Sequence, residues 1–376
     1  MAQYRNWQEE FDTAIIGTGL CSLILAETLG QRGQKVALVE TSSNIYGYLH
    51  EQTMADSLNA ARLRYQPACD NINDLIEGLN QAIGTQIESE VVDNSVKTVD
   101  SGSLKDFLGF GDRKFSGMSV YGDLCRNTKI QSSTAMHEVL TSLADRFSGR
   151  FIPNARVTGF ALDDGHATGL ILNEDRVLKA NHFIYCDSPH KLPGLLGHEA
   201  FSSRVQSKLS RNKPMSALYL RLLLQEPMVE PDNFFVFMGA KDDFEPCLGE
   251  SWINSQGEQV TNWAYLIPTE QAEDHETMVA AIKYMKRQIK RVYPELVEKS
   301  VQETITFGED QFGSFDLTRE QLSKGLPSNL FLSSPRLSNQ ISYWADIESA
   351  LLTLDSLLPA EKPSEDDSHL ASEPLS

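Results

Sequence analysis

The sequence has few of the residues that cross-link a chain or hold a metal. Among 376 residues there are only five cysteines, and they lie far apart: Cys21, Cys69, Cys125, Cys186 and Cys247. No two of them form a CxxC pair, and an odd, dispersed set is not typical of a disulfide framework or of a zinc site. We therefore expect five reduced, mostly buried thiols in a cytoplasmic protein.

Metal-dependent and serine-based hydrolysis also lack their usual signatures. The eight histidines include no HExxH pair, and no GxSxG turn surrounds any serine. Ser188 and His190 follow a predicted strand, and we interpret His190 as a loop residue near a cofactor rather than as a base. The sequence predicts no metal site.

Long hydrophobic runs and positive charge are lacking too. No stretch approaches the roughly 18–20 consecutive apolar residues of a membrane span, and the polar opening MAQYRNWQEE does not resemble a signal peptide. Lys and Arg number 33 against 52 Asp and Glu, a formal net charge of −19. Because such a surface repels phosphate backbones, we expect neither a nucleic-acid partner nor an integral membrane segment.

What the sequence does contain is a strand–turn–helix–strand unit near its start. Residues 13–16 and 35–40 are apolar strands, and between them apolar residues recur at helical spacing until Gly30 or Gly33. Two strands joined by a helix within this length predict a βαβ unit with parallel strands and a right-handed crossover.

Elsewhere the hydrophobic pattern predicts a mixture of helices and strands. Helices are predicted over residues 55–63, 72–83, 134–147, 270–293 and 345–358, and strands over 155–163, 168–172, 182–185, 215–224, 233–238, 262–267 and 329–333. Residues 361–376 consist largely of Pro, Ser and acids with little to bury, so we expect a disordered tail.

A glycine turn joins the first strand to the first helix and carries the strongest chemical signal. It contains Gly17, Thr18, Gly19, Leu20, Cys21 and Ser22. The first glycine permits the tight turn, and the second lets a pyrophosphate approach the helix N-terminus. Glu40, 23 residues after Gly17, is placed to accept hydrogen bonds from a ribose diol and disfavours a 2′-phosphate. Ser22 stands where Gly or Ala is usual.

Three blocks of the sequence resemble the two-dinucleotide-binding-domain flavoprotein superfamily. Residues 11–47 are similar to its opening βαβ unit, residues 155–197 to its β-meander and returning strand, and residues 326–358 to its closing strand and helix. That superfamily includes flavin amine oxidases, phytoene desaturases, protoporphyrinogen oxidase and the Rab GDP-dissociation inhibitors. The resemblance implies FAD as cofactor.

Carried over residue by residue, the resemblance implies a set of cofactor contacts but no identified catalytic base. The set is Gly17, Thr18, Gly19, Leu20, Cys21, Ser22, Glu40, Thr41, Gly47, Val157, Ser334, Tyr343 and Ala345.

Two motifs of the family are altered. Of its paired glycines only Gly47 remains, and its Gly-Asp step is replaced by Ser334 and Pro335, which offer no carboxylate. Ala345 stands where a glycine lets backbone approach the flavin. The altered positions therefore lie at the end of the site that would contact the isoalloxazine ring.

The predicted fold class is α/β, with a discontinuous Rossmann-like FAD-binding domain and an inserted α+β substrate domain. We assign residues 1–60, 119–205 and 321–360 to the FAD-binding domain, and residues 61–118 and 206–320 to the substrate domain. Aromatic residues of the second domain, Tyr219, Phe235, Phe237, Trp252, Trp263 and Tyr265, are candidates for substrate walls.

The resemblance implies a FAD-dependent oxidoreductase of the amine oxidase or phytoene desaturase type. It would transfer a hydride from a small apolar or amine-bearing organic substrate to flavin. Two alternatives stay open: a non-catalytic binding protein, similar to GDP-dissociation inhibitors, that holds a protein or lipid partner with weak or no FAD binding, and a FAD-binding subunit completed by another chain.

Overall fold

The computed structural model describes residues 5–43, 45, 62–132, 134, 136–173, 176–211, 214–239, 244–312 and 317–358. Its strands are β1 (Arg5–Ile16), β2 (Val36–Val39), β3 (Ser89–Asp93), β4 (Lys97–Asp100), β5 (Ser103–Asp106), β6 (Thr128–Ser132), β7 (Arg150–Ile152), β8 (Val157–Asp163), β9 (His166–Leu172), β10 (Arg176–Tyr185), β11 (Met215–Leu224), β12 (Phe234–Phe237), β13 (Cys247–Ile253), β14 (Gln259–Pro268), β15 (Gln302–Phe312) and β16 (Leu330–Leu332). Its α-helices are α1 (Leu20–Gln31), α2 (Ile72–Ile83), α3 (Met118–Leu124), α4 (Met136–Arg146), α5 (Leu192–Leu196), α6 (Ser203–Arg211), α7 (His275–Lys290), α8 (Leu296–Lys299), α9 (Arg319–Ser323) and α10 (Ser342–Leu357).

One sheet of seven strands contains the predicted βαβ unit. Its strand order is β7-β2-β1-β10-β9-β8, with β16 also paired to β10. Strands β2, β7, β10 and β16 join it by parallel pairing. The chain returns to this sheet after long excursions: β10 lies beside β1, and the closing strand β16 pairs with β10.

The meander differs from its prediction in one respect. Instead of a separate strand at 182–185, β10 is a single strand that begins at Arg176 and pairs in two directions. Its first residues pair antiparallel with β9, and its last residues pair parallel with β1 and β16. One long strand therefore serves both as the third strand of the meander and as a central strand of the parallel sheet.

The second sheet, also of seven strands, has the order β15-β11-β14-β13-β12-β4-β5. Its pairings are antiparallel except between β12 and β4. Of these strands the sequence pattern missed β4, β5, β13 and β15, and the last two show why. Strand β13 carries Gly249 and Glu250 in its middle, and β15 is a polar edge strand, so neither shows the expected alternation of apolar residues.

Helix α7 is shorter than the predicted 270–293. Asp274 stops it at the N-terminus, because its carboxylate accepts hydrogen bonds from the backbone N–H groups of Glu276 and Thr277, both at 3.2 Å. Residues 269–271 form a separate 3₁₀ turn.

Three helices pack against α1. Helix α1 is apolar on nearly all sides, and it shares one buried core with α2, α4 and α10. Helix α2, which the sequence places in the second domain, packs against α1 and α10. The domain boundaries remain a prediction, as do most of the predicted helix at 55–63 and the tail at 361–376, which lie outside the described residues.

Among the helices that the structure describes, none has the length and apolar character needed to cross a bilayer.

Candidate cofactor site

The glycine turn lies at the carboxyl ends of the central parallel strands. Gly17 has φ +97° and Gly19, the N-cap of α1, has φ +121°. A side chain at Gly17 would make only ordinary contacts, at 3.7 Å from Cys186 Cβ and from the Asp187 backbone N. The positive φ angles, rather than a lack of space, are what favour glycine at both positions.

A cavity of about 910 Å³ opens directly in front of this turn. It lies where the carboxyl ends of β1, β2 and β10 meet, which is the position where ligands bind in open parallel sheets. Its volume is near the upper end of the range usual for small-molecule and cofactor sites. Eight predicted cofactor residues line it: Gly17, Thr18, Cys21, Ser22, Glu40, Thr41, Val157 and Ser334.

Glu40 is held in position by its own neighbours. Its Oε1 accepts hydrogen bonds from the backbone N–H groups of Thr41 at 2.6 Å and Ser42 at 3.2 Å, and from the Thr41 hydroxyl at 2.8 Å. Its Oε2 accepts from the Thr18 hydroxyl at 2.7 Å. A carboxylate oxygen can accept two hydrogen bonds, so Oε2 retains capacity for a hydroxyl donor such as a ribose diol.

The opposite wall holds a lysine that keeps its charge. Lys191 Nζ lies 3.0 Å from Asp187 Oδ2, and both residues line the cavity. Burial by itself lowers the pKa of Lys191, but the charge and hydrogen bond of Asp187 outweigh it, so the net pKa is raised. Arg156 and Arg336 also line the cavity. These cations, with the N-terminus of α1, suit a pyrophosphate.

The remaining predicted residues do not line the large cavity. Gly19 caps α1 at its rim, and Leu20 is fully buried in the core. Tyr343 lines a separate cavity, and Ala345 lines a void of only about 30 Å³. Gly47 lies outside the described residues.

An ion pair fills the corner beside Ala345. Arg62 Nη2 lies 2.6 Å from Asp346 Oδ2, and the side chains are only 13% and 6% exposed. The guanidinium also stacks over the Tyr343 ring, 4.2 Å from its centroid. The residues present therefore suit the adenosine and pyrophosphate half of FAD, whereas the corner at Ala345 has no room for a flavin ring unless this ion pair moves.

Ser334 contributes differently from the aspartate of the family motif. It is fully buried at the edge of the large cavity, and its Oγ accepts a hydrogen bond from the backbone N of Arg336 at 3.3 Å. The Ser349 hydroxyl donates to its carbonyl at 3.0 Å. Ser334 thus ties the strand end to α10 and presents no negative charge to the cavity.

Cys21 is a packing residue rather than an activated thiol. Its thiol donates to the Ser333 carbonyl oxygen at 3.1 Å and is buried in the first turn of α1. Burial raises its pKa well above the ordinary value, and the neighbouring Cys186 raises it further. The helix N-terminus therefore does not produce a thiolate here.

The pattern did not predict a polar cluster on the cavity wall. The Ser188 hydroxyl and His190 Nδ1 are 2.7 Å apart, and His190 Nε2 lies 3.4 Å from Asp310 Oδ2. Ser188 and Asp310 line the cavity. The position of Ser188 could have been predicted, because it follows β10, a strand parallel to β1. Asp310 could not, because it comes from β15, and no local sequence pattern shows which strand β15 pairs with.

Most of the aromatic candidates for substrate walls point elsewhere. Phe235, Phe237, Trp263 and Tyr265 pack in the core between the second sheet and α7. Tyr219 is also fully buried. Only Trp252 lines one of the cavities described here. The alternation of β-strands sends the rest into cores, which explains the error.

Three solved structures with similar folds agree with this architecture. An oxidoreductase from Methanosarcina mazei superposes with a TM-score of 0.62 at 12% identity, covering 92% of this chain and 100% of that one. Putrescine oxidase bound to putrescine gives 0.62 at 13%, covering 94% and 98%. A protoporphyrinogen oxidase-like protein from Exiguobacterium gives 0.62 at 11%, covering 94% and 99%.

Sequence comparison adds nothing to this. No protein-family model matches the chain, and the search of curated proteins finds no match. At these identities the likeness concerns the fold, and the fold of this chain is the one found in these oxidoreductases.

Proposed function

We propose that the protein is a FAD-dependent oxidoreductase of the flavin amine oxidase and phytoene desaturase type. The observation that carries the proposal is the cavity of about 910 Å³ that joins the glycine turn, Glu40 and Ser334 in one space. The shared fold with three oxidoreductases supports the same class of function.

In this proposal each wall of the cavity has one task. Glu40 Oε2 accepts a hydrogen bond from the ribose of the adenosine. The backbone N–H groups at the start of α1 and the cations Arg156 and Lys191 meet the pyrophosphate. Ser334 lines the side of the cavity nearest α10. FAD, when bound, supplies the acceptor for a hydride from an apolar or amine-bearing organic substrate.

The Arg62–Asp346 ion pair must move before the flavin half of FAD can enter the corner beside Ala345. Because both side chains are largely buried and joined at 2.6 Å, opening this corner costs their mutual attraction unless new partners replace it. We infer that Arg62 and Asp346 rearrange when the complete dinucleotide binds. ADP lacks the flavin half, so the proposal predicts that ADP binds without the cost of moving this ion pair.

The test is a titration of the purified protein with FAD, with ADP and with FMN. We expect FAD to give the two visible bands of oxidised flavin at close to one equivalent, ADP to compete with it, and FMN to bind weakly. The visible bands should then be bleached anaerobically by a suitable amine or polyene. Binding of ADP alone would support a nucleotide site without flavin chemistry, and a protein that binds neither FAD nor ADP would overturn the proposal.

A further inference from the structure

A second cavity, of about 290 Å³, shares no lining residue with the cofactor cavity. It lies between the end of β13, the segment 64–66, strand β6 and the first turn of α10. Aromatic and apolar side chains form much of its wall: Tyr65, Ile130, Met136, Trp252, Tyr343 and Trp344. Its volume suits a ligand of about the size of a single substituted ring.

Arg64 provides a positive charge inside this cavity. Its guanidinium lies over the Trp252 ring, 4.4 Å from the ring centroid. Its Nη1 is buried, and none of the described residues places an acceptor within hydrogen-bond distance of it. A buried guanidinium N–H without an acceptor is costly, and a carboxylate is the group whose geometry matches it best.

Among the described residues, neither of the two acids that line this cavity forms an ion pair with Arg64. Glu250 is buried and already accepts hydrogen bonds from the backbone N–H groups of Arg64 and Tyr65 and from the Asn262 amide, at 2.6–2.9 Å. Its charge faces the fully buried Arg221, whose guanidinium lies 5.6 Å from the Trp252 ring.

Asp232, the other acid, lies on an exposed turn beside a lysine. Lys129 Nζ donates to the Asp232 carbonyl oxygen at 3.2 Å, so this acid and this base share the same rim. This contact is to the backbone of Asp232 and not to its carboxylate, and Glu250 faces Arg221, so neither acid supplies the missing acceptor for Arg64 Nη1. An anionic group is the ligand that would supply the acceptor that Arg64 Nη1 lacks.

Gln66 adds a second polar requirement. Its Nε2 donates to the Arg64 carbonyl oxygen at 3.0 Å, which orients the amide. Its Oε1 is buried, and no donor among the described residues reaches it. A ligand that satisfies both atoms carries an anionic group for Arg64 and a hydroxyl or amide donor for Gln66.

We propose that this cavity binds a small planar organic anion, namely an aromatic or conjugated carboxylate that also bears a hydrogen-bond donor. The carboxylate pairs with Arg64 and the donor with Gln66 Oε1. The ring lies against the aromatic wall of Trp252 and Tyr343. Tyr343 is the one residue of this wall that the resemblance also assigns to the cofactor contacts. The site shares no lining residue with the cofactor cavity, so it does not rest on the proposed function.

The experiment is a calorimetric titration of the full-length protein with para-hydroxybenzoate and with its neutral analogue para-hydroxybenzamide. We expect the carboxylate to bind in the millimolar range or tighter and the amide to bind at least about tenfold more weakly. Arg64→Gln should abolish that difference. Gln66→Met should weaken the binding of para-hydroxybenzoate until its affinity equals that of benzoate.

The controls separate a binding role from a structural one. Arg287→Gln removes a guanidinium that stacks on Phe244 and Tyr284, far along the chain in α7, and should leave both titrations unchanged. The titrations are repeated with saturating FAD. Because the two cavities share no lining residue, para-hydroxybenzoate should still bind, and the preference for the acid over the amide should remain. Equal binding of the acid and the amide, or an Arg64→Gln variant that folds normally and binds para-hydroxybenzoate like the wild type, would overturn the proposal.

Discussion

The cofactor cavity and the second cavity are built in different ways. The cofactor cavity takes much of its wall from a continuous turn, residues 17–22, and from residues directly after β2 and β10. The second cavity takes its polar groups from three segments, residues 64–66, 129–132 and 250–252, which are separated by long stretches of chain. A site at the carboxyl ends of parallel strands can be located from local sequence, whereas a site assembled by packing cannot.

Trp263→Ala should have the largest effect and should separate stability from cofactor binding. The fully buried indole stacks with Phe235 in the core of the second sheet, so its loss should lower the free energy of unfolding by about 3–5 kcal/mol. Because it lies away from the cofactor cavity, affinity for FAD or ADP should stay unchanged. Urea denaturation and a nucleotide titration below the unfolding midpoint measure the two quantities, and a parallel loss of affinity would show that the two regions are coupled.

Asp346→Ala tests the ion pair that lies between the two regions. It leaves the largely buried Arg62 without its carboxylate, and removing one partner of such a pair costs about 3 kcal/mol or more. The double variant Arg62→Met/Asp346→Leu should lose less, because it buries no unpaired charge. The measurement is the thermal unfolding midpoint of the two variants. A double variant less stable than Asp346→Ala would contradict this account.

Tyr65→Phe should change how stability depends on pH in the region of the second cavity. Burial raises the pKa of Tyr65 to about 12, against an ordinary value of 10.0. Between these values the unfolded chain releases the proton while the folded chain keeps it. The stabilisation is therefore intact below pH 10 and is lost as pH rises toward 12, by about 2–3 kcal/mol.

The phenylalanine variant lacks this titration. Below pH 10 it should be less stable than the wild type by about 1 kcal/mol, because the Tyr65 hydroxyl donates to the Arg126 carbonyl oxygen at 2.8 Å. Urea unfolding at a series of alkaline pH values should show this deficit shrinking and then reversing. A deficit that stays constant up to pH 12 would mean that Tyr65 does not titrate differently on folding.

Glu40→Gln should have the smallest effect on stability and a specific effect on the cofactor cavity. The amide keeps the shape of the side chain but weakens its role as acceptor toward Thr18 and a ribose diol. We expect affinity for FAD and for ADP to fall by about tenfold, or about 1.4 kcal/mol, with little change in the unfolding midpoint. The matched control is Glu10→Gln, which changes an exposed acid on β1. Equal nucleotide affinities for the two variants would show that Glu40 does not contact the nucleotide.

Short-range rules were enough to predict several elements correctly. The predicted helix 72–83 is α2, and the predicted strand 215–224 is β11, with the same bounds. Helix α2 shows a strong apolar stripe and ends at Gly84, whose φ is +64°. The glycine turn and Glu40 were also accessible, because a βαβ unit places both within about thirty residues.

What the sequence by itself determined is therefore the local geometry: the turn that needs positive φ at Gly17 and Gly19, the helix that follows it, and the acid at the end of β2. Only the tertiary structure decided that Arg62 and Asp346, 284 residues apart, meet beside Ala345, and that β10 joins two kinds of pairing. The physical reason is range. Backbone dihedral preferences and i→i−4 hydrogen bonds act between near neighbours, whereas strand pairing and buried ion pairs depend on which distant segments share a core.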